Sequence, residues 1–164
     1  MATEPKPRKV LFLCTGNSAR SIFAEYLMNK TGRRRFEAYS AGSEPSGKVN
    51  PFTVQVLREH YKIKAQDARS KSWDEFQETK FDIVITVCDR VRESCPTFPG
   101  DPEVIHWSIA DPAGAAGSDK QKLRAFIRTA QEIQRRVELL CSVPTEKLGP
   151  VLTRSARQVE TTRK

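Results

Sequence analysis

The first residues in the chain that can do chemistry are Cys14 and Arg20, in the segment Cys14-Thr-Gly-Asn-Ser-Ala-Arg20-Ser21. A cysteine thiolate is a nucleophile, and the planar guanidinium of arginine donates to two oxygens of one tetrahedral anion. Gly16 permits backbone angles that a side chain hinders, and Asn17 tolerates the left-handed region, so the segment can curl around a ligand. We therefore predict that Cys14 attacks the central atom of an oxyanion held in this loop.

The backbone of the same segment is predicted to bind the anion. An apolar strand precedes it and a helix follows from Arg20, and successive amides at such a junction form an anion-binding nest. The predicted substrate-binding residues are Thr15, Gly16, Asn17, Ser18, Ala19, Arg20 and Ser21. We expect this environment, with the Ser21 hydroxyl, to lower the pKa of the Cys14 thiol and to make the thiolate its resting form. The alternative is an inert cysteine buried at the end of a strand.

Two further cysteines are candidates for redox chemistry. Cys88 ends the apolar run Phe81–Cys88, and the carboxyl ends of neighbouring parallel strands lie together. Thiols reduce a substrate by ending as a disulfide, which requires a partner cysteine within reach of Cys14. Cys95 follows in a polar segment that is either a mobile loop or one loose helical turn. The alternative is that Cys88 is a small core residue and Cys95 an incidental loop thiol, and we assign Cys141 to packing.

Strands alternate with helices along the chain, which predicts an α/β fold with three αβα layers and a four-stranded parallel sheet. The predicted strands are Val10–Cys14, Phe36–Ser40, Phe81–Cys88 and Val104–Ile109. The predicted helices run from Arg20 to about Lys30, from Pro51, from a cap at Ser72, and along an apolar face from Leu123 to Leu140. We predict a disordered leader over residues 1–8, a single catalytic domain over 9–142 and a basic C-terminal tail over 143–164.

Composition and charge exclude several functions. The net charge of +8 is concentrated at the two ends, with +2 in residues 1–9 and +3 in residues 145–164. No aromatic residues interleave the basic ones, so nucleic-acid binding is not expected. The longest apolar run, Val10 to Leu13, is far below the ~20 residues that cross a bilayer, and no signal peptide is evident. We expect a cytoplasmic monomer without membrane contact, and the cysteine and histidine spacings predict no zinc site.

Three motifs carry a resemblance to a known family: Cys14-x5-Arg20-Ser21, Ser40-Ala-Gly42 and Asp111-Pro112. Together they resemble the low-molecular-weight protein tyrosine phosphatase superfamily, over residues 9–141. Within it, Cys14-Thr-Gly-Asn-Ser is similar to the arsenate reductases of that fold. The resemblance implies a low-molecular-weight phosphatase-like architecture and a reaction that begins with attack by Cys14.

The resemblance also implies a relay of three thiols. Cys14 forms the arsenic adduct, Cys88 attacks Cys14 and releases arsenite, and Cys95 attacks Cys88. The pair Cys88-x6-Cys95 followed by Pro96 is similar to the thioredoxin-coupled reductases, so thioredoxin is the expected partner. No cofactor is expected beyond an external thiol reductant, and glutaredoxin with glutathione, or mycothiol, serves related enzymes.

Asp111 takes its predicted role from the same resemblance. In phosphatases of this fold an aspartate before proline is the general acid that protonates the leaving group, and in a reductase it steers protonation of the thiols. Taken alone, Asp111-Pro112 is a common turn pairing. Ala113-Gly114-Ala115 follows where phosphatases of this fold carry aromatic residues, which argues against a phosphotyrosine pocket. A phosphatase using Cys14, Arg20 and Asp111 stays open as an alternative, as does a non-enzymatic phosphate or arsenate sensor.

The chain departs from the family at two positions. Ala19 stands where several reductases carry a cysteine that takes no part in the relay. Asn17, Glu25 and Ser40 resemble positions that help to hold potassium in some members, but Lys71 falls near the position of a carboxylate in those members. In our interpretation the lysine ammonium replaces the cation, so no metal is predicted.

Overall fold

The computed structural model describes residues 6–144 as a parallel sheet with flanking helices. The strands are β1 (Arg8–Cys14), β2 (Phe36–Gly42), β3 (Ile83–Thr86) and β4 (Glu103–His106). The α-helices are α1 (Arg20–Thr31), α2 (Pro51–Tyr61), α3 (Asp89–Ser94) and α4 (Asp119–Ser142), and short 3-10 helices cover Trp73–Phe76 and Pro112–Gly114. All neighbouring strands pair in parallel, in the order β2-β1-β3-β4. The predicted α/β fold with a four-stranded parallel sheet is confirmed.

β1 lies inside the sheet and determines where the predicted site is built. Residues 10–14 are all buried, as expected for a continuous apolar run in a parallel strand between two others. Its register pairs Cys14 with Gly42 of β2 and Leu13 with Thr86 of β3. The loop after β1 therefore begins at the same sheet edge at which β2 and β3 end.

α4 holds α1 and α2 in place. Ser118 begins it with a capping box in which its hydroxyl accepts from the Gln121 amide and the Gln121 side chain accepts from the Ser118 amide. The Phe126 ring contacts Phe23 of α1 and Phe52 of α2, with centroid distances of 6.4 and 5.3 Å. Because α1 starts at Arg20, this packing fixes the far end of the loop that follows Cys14.

β3 and β4 are shorter than the sequence predicts. β3 ends at Thr86 rather than at Cys88, and Cys88 is instead the N-cap of α3. β4 ends at His106 rather than at Ile109, and its last link to the sheet is the bond from the Trp107 amide to the Thr86 carbonyl, 2.8 Å long. Among the described residues, the segment after β4 makes no further backbone hydrogen bond to β3.

The elements of the described part begin with β1 and end with α4. β1 begins at Arg8, whose amide donates to the Arg35 carbonyl at 2.8 Å, and α4 ends at Ser142. The division into a leader over 1–8, a domain over 9–142 and a tail over 143–164 stays a prediction. Residues 1–5 of the predicted leader and 145–164 of the predicted tail lie outside the described residues.

Cys141 lies among packed side chains near the end of α4. Its sulfur is 3.7 Å from the Met28 sulfur of α1, and the residue is partly buried against the core. Between residues 6 and 144, no helix combines the length and the apolar character that a membrane span needs.

Candidate active site

The backbone carbonyl groups of the loop between β1 and α1 are hydrogen-bonded to residues outside the loop. Four of these carbonyls accept from backbone amides of the segment that follows β2. The bonds run from Ser43 to Cys14 at 3.2 Å, from Glu44 to Thr15 at 2.9 Å, from Ser46 to Gly16 at 2.9 Å and from Asn50 to Ser18 at 3.0 Å. Asn17 takes a positive φ of 47°, which turns the chain between them. Across the described part of the chain, the Gly16, Ser18 and Ala19 amides meet no acceptor. These donors are therefore available to an anion.

Gly42 is required by the close approach of this loop to β2. A Cβ atom at position 42 would lie 2.5 Å from the Thr15 carbonyl oxygen and 3.1 Å from the Asn17 amide nitrogen. Both atoms belong to the backbone, so neither can swing away. The glycine that ends β2 thus lets the loop between β1 and α1 rest directly on the strand.

The Cys14 sulfur lies in a small polar network. It is 2.8 Å from the Ser21 hydroxyl oxygen and accepts from the Asn17 amide at 3.2 Å. The Asn17 side-chain amide donates to the same Ser21 oxygen at 2.8 Å. Since Ser21 accepts from Asn17, its own proton is free to point at the sulfur, which stabilises a thiolate.

The protonation of Cys14 differs from the sequence prediction. The side chain is 2% exposed, and this burial raises the pKa of its thiol above the ordinary value of 9.0. Contacts with Ser21, Arg20 and Asn17 lower the pKa of Cys14, but the effect of burial is larger. The prediction of a lowered pKa was wrong, because it weighed the donors of the loop and left out the loss of solvent around the sulfur.

Arg20 and Asp111 lie together at the rim of the loop. Arg20 donates through Nη1 to the Ile109 carbonyl at 3.1 Å, and its Nη2 lies 3.6 Å from Asp111 Oδ2. Asp111 is about half exposed, and its other oxygen accepts from the Ala113 amide at 3.0 Å to cap the 3-10 helix. One oxygen of the Asp111 carboxylate thus caps the turn, and the other lies near Arg20.

Of the two further cysteines, the fold brings Cys88 alone to the loop. Its sulfur is 3.3 Å from the Thr15 hydroxyl, and the residue is 4% exposed. Cys95 follows α3 and is partly exposed, with its sulfur 3.6 Å from the Pro96 carbonyl. Burial raises the pKa of the Cys95 thiol. The segment that the sequence left open as a loop or a turn is a six-residue helix.

Lys71 lies among oxygen atoms behind the loop. Its ammonium is 3.7 Å from Glu25 Oε1, 3.4 Å from Ser40 Oγ and 3.2 Å from the Arg69 carbonyl. Its backbone amide donates to Asn17 Oδ1 at 2.9 Å, a contact that sequence reasoning missed because a main-chain donor has no sequence signal. Burial lowers the pKa of Lys71 and raises that of Glu25. Between residues 6 and 144, no group of three or more His, Cys, Asp or Glu side chains is placed to hold a metal ion.

A second network beside Cys88 also escaped sequence reasoning. The His106 ring bonds Asp89 through Nε2 at 2.7 Å and Thr86 through Nδ1 at 2.8 Å. The only signal available was the position of His106 near the end of a predicted strand, next to the strand that leads to Cys88.

The fold and this loop define a class of enzyme, in which a cysteine and an arginine share an oxyanion-binding loop at the carboxyl edge of a parallel sheet. Residues 9–149 match the family described as low molecular weight phosphotyrosine protein phosphatase. The chain belongs to this family.

Its relatives carry two different names. An arsenate reductase of Halalkalibacterium halodurans is 38% identical over 129 residues, which make up 79% of this chain and 91% of the relative. An arsenate reductase from Archaeoglobus fulgidus has a crystal structure similar to this fold, with a TM-score of 0.66 and 35% identity over 82% of this chain and 99% of that one. A low molecular weight protein tyrosine phosphatase from T. tengcongensis matches with a TM-score of 0.66 and 26% identity, over 83% and 99% of the two chains.

Proposed function

We propose that the chain is an arsenate reductase that works through a relay of Cys14, Cys88 and Cys95. The observation that carries the proposal is the second thiol beside the oxyanion loop, with the Cys88 sulfur 3.3 Å from the Thr15 hydroxyl. A phosphatase needs one nucleophilic cysteine, whereas reduction by thiols needs a partner that can form a disulfide. The names of the relatives from H. halodurans and A. fulgidus support the same choice.

The first step joins Cys14 to arsenate. The free amides of the loop and the Arg20 guanidinium bind the oxyanion, and Cys14 attacks arsenic. Burial raises the pKa of this thiol, and the step is therefore written from the thiol form of Cys14. Hydrogen arsenate and the thiol condense to a thiol-arsenate adduct, and the thiol proton leaves with one arsenate oxygen as water. Asp111, 3.6 Å from Arg20, is the group that carries the proton to this oxygen.

The second step reduces arsenic. The Cys88 sulfur attacks the Cys14 sulfur, an S–S bond forms and the S–As bond breaks. The electron pair of the broken bond stays on arsenic, which passes from As(V) to As(III) and leaves as arsenite after taking up protons. The two thiols supply both electrons, so no metal or organic cofactor is needed.

The third step moves the disulfide outward and requires α3 to unwind. Cys88 and Cys95 flank the six-residue α3 as its N-cap and C-cap, and an α-helix separates residues seven positions apart by about 10 Å. A disulfide needs Cα atoms about 4.4–6.8 Å apart. Cys95 therefore reaches Cys88 only after α3 opens, and the resulting Cys88–Cys95 disulfide regenerates the Cys14 thiol.

The external reductant is thioredoxin in this proposal. A disulfide between Cys88 and Cys95 is the kind of substrate that a dithiol protein reduces by exchange, and Cys95 is already partly exposed. The proposal places the enzyme in the cytoplasm, where thiols are kept reduced. It acts as a monomer, since all groups invoked belong to one chain.

The test is arsenate-dependent oxidation of NADPH in the presence of thioredoxin and thioredoxin reductase. Wild type and Cys141→Ser should turn over alike, because Cys141 lies in packing near the end of α4. Cys14→Ser, Cys88→Ser and Cys95→Ser should each lose turnover. A relay is excluded if Cys88→Ser and Cys95→Ser keep wild-type rates, and replacing thioredoxin with glutaredoxin and glutathione tests the choice of reductant.

A phosphatase activity is the second candidate. The observation that favours it is that the Arg20 charge acts on Cys14 and Arg20 pairs with Asp111, without help from Cys88 or Cys95. The double variant Cys88→Ser/Cys95→Ser separates the two activities, because it should hydrolyse p-nitrophenyl phosphate while failing to reduce arsenate. If this variant hydrolyses the phosphate no faster than Cys14→Ser does, the phosphatase candidate is rejected.

A further inference from the structure

His106 binds the chain on both sides of Cys88. Its Nδ1 atom lies 2.8 Å from the hydroxyl of Thr86, two residues before Cys88. Its Nε2 atom lies 2.7 Å from the carboxylate of Asp89, one residue after Cys88. Each ring nitrogen thus has its own hydrogen-bonding partner, Asp89 at Nε2 and Thr86 at Nδ1. With both nitrogens engaged, the imidazole has one orientation.

These contacts give Cys88 a defined position. The residue between Thr86 and Cys88, Val87, is fully buried and donates its amide to the Leu13 carbonyl of β1 at 2.8 Å. Cys88 itself makes no side-chain cap for α3. The direction of its sulfur therefore depends on how its two neighbours are held, and that sulfur lies 3.3 Å from the Thr15 hydroxyl.

The contact with Asp89 also ties the first residue of α3 to β4. The His106 side chain is 7% exposed, whereas that of Asp89 is 74% exposed. A buried side chain of β4 therefore holds the exposed carboxylate at the start of α3. Ser108 donates a second bond to the same carboxylate oxygen at 3.3 Å. The hydrogen bond from His106 holds the pKa of Asp89 below its ordinary value, so this carboxylate remains an acceptor at neutral pH.

We infer that His106 is the positioning residue for Cys88, holding its sulfur ready to attack Cys14 through paired bonds to Thr86 and Asp89. The inference rests on the proposed function, because it concerns the second step of the relay. In that step the Cys88–Cys14 bond forms while the S–As bond breaks, and arsenic keeps the electron pair. His106 exchanges no proton or electron with the substrate, and it acts through the two residues that flank Cys88.

The experiment measures formation of the Cys14–Cys88 disulfide in a single turnover with arsenate. A Cys95→Ser background stops the relay at this disulfide. His106→Ala should slow its formation by roughly 10- to 100-fold, the effect of a misplacement of about 1 Å at a reacting group. His106→Gln, whose amide can reach Asp89 but not Thr86 as well, should give an intermediate rate. The other histidine of the chain, His60, is exposed on α2, and His60→Gln is the matched control.

A second measurement separates positioning from general damage to the fold. In a Cys88→Ser/Cys95→Ser background, His106→Ala should leave the rate of Cys14 alkylation by iodoacetamide and its protection by arsenate unchanged. Unchanged disulfide formation in His106→Ala overturns the inference. Equal slowing of Cys14 alkylation overturns it as well, because the effect would then be on the whole site.

A third arm keeps this inference distinct from the proposed function. Diamide oxidises the two thiols to the Cys14–Cys88 disulfide without arsenate and is itself reduced to the hydrazine. If wild type produces no arsenite, the proposed function fails, yet slower diamide-driven closure in His106→Ala still supports the positioning role. Equal closure rates in His106→Ala and wild type overturn that role whatever the substrate.

Discussion

The Ser21 hydroxyl oxygen lies 2.8 Å from the Cys14 sulfur. The same oxygen accepts from the Asn17 side chain, whose own carbonyl oxygen is bonded to the Lys71 amide at 2.9 Å. Three side chains and one backbone group thus decide where the serine proton points. The Cys14 side chain is buried, and this short row of hydrogen bonds supplies its polar contacts.

Replacement of Ser21 by alanine should make Cys14 less reactive. The serine contact lowers the pKa of the Cys14 thiol against the dominant effect of burial, so its loss raises that pKa further. The thiolate fraction at pH 7 then falls, and alkylation of Cys14 by iodoacetamide should slow by about tenfold, as for a lost hydrogen bond to a charged group. The pH profile of alkylation should move to higher pH. Ser142→Ala, at an exposed serine, should leave the profile in place.

A side chain at position 42 should displace the oxyanion loop. In Gly42→Ala the new Cβ atom meets the Thr15 carbonyl oxygen at 2.5 Å, so the loop or β2 must move, and overpacking of this kind destabilises by about 1–3 kcal/mol. Thermal unfolding should show the loss of stability, and calorimetric titration should show weaker phosphate binding. Gly114→Ala is the control, since a Cβ there meets nothing within 4 Å. Similar unfolding temperatures for the two variants would contradict the packing argument.

Removal of the Lys71 ammonium should leave a buried charge without its partner. The Lys71 and Glu25 side chains are 9% and 14% exposed, so Lys71→Met should lower the free energy of unfolding by about 3–5 kcal/mol. Lys71→Met/Glu25→Leu, which removes both charges, should recover most of this loss. Urea unfolding measures both effects, and Lys64→Met, at an exposed lysine, is the control.

The same variant should respond to pH with a defined sign. Burial raises the pKa of Glu25 above its ordinary value of 4.5, and loss of Lys71 removes the charge that opposes this rise. The folded variant then binds a proton that the unfolded chain has lost, so its stability falls as the pH rises above about 4.5. Urea titrations of Lys71→Met at pH 5 and pH 8 should show a larger deficit at pH 8. A deficit that is the same at both pH values would mean that the pKa of Glu25 is not raised in the folded variant.

Weaker packing of α3 should speed the last transfer of the proposed relay. Val91 is the buried residue of α3, and Val91→Ala removes apolar contacts worth about 1–2 kcal/mol. Since α3 must open before Cys95 can reach Cys88, the Cys88–Cys95 disulfide should form several-fold faster in this variant after oxidation. Quenched samples resolved by mass spectrometry measure the rate. Val104→Ala, at a valine that is 52% exposed, should match wild type.

The sequence alone was sufficient for the fold and for the first part of the site. A continuous apolar run, a glycine-bearing loop and an amphipathic helix are local patterns, and they correctly predicted β1, α1 and the place of Cys14 and Arg20 between them. The four-stranded parallel sheet followed from the alternation of strands and helices. Patterns of this kind depend on residues that are close in the chain, so they can be found without knowing the tertiary structure.

The tertiary structure decided what distant segments do to one another. It alone shows that burial governs the pKa of Cys14, because the loss of solvent around a sulfur depends on everything packed against it. It likewise shows that Cys88 contacts Thr15, whereas α3 lies between Cys88 and Cys95. It also shows that His106 bonds the residues on both sides of Cys88, Thr86 and Asp89. The types and spacing of residues in the first loop predicted Cys14 as a nucleophile beside an anion site. Sheet register and packing bring the Cys88 thiol to Thr15 and the Asp111 carboxylate to Arg20, residues 73 or more positions apart in the chain.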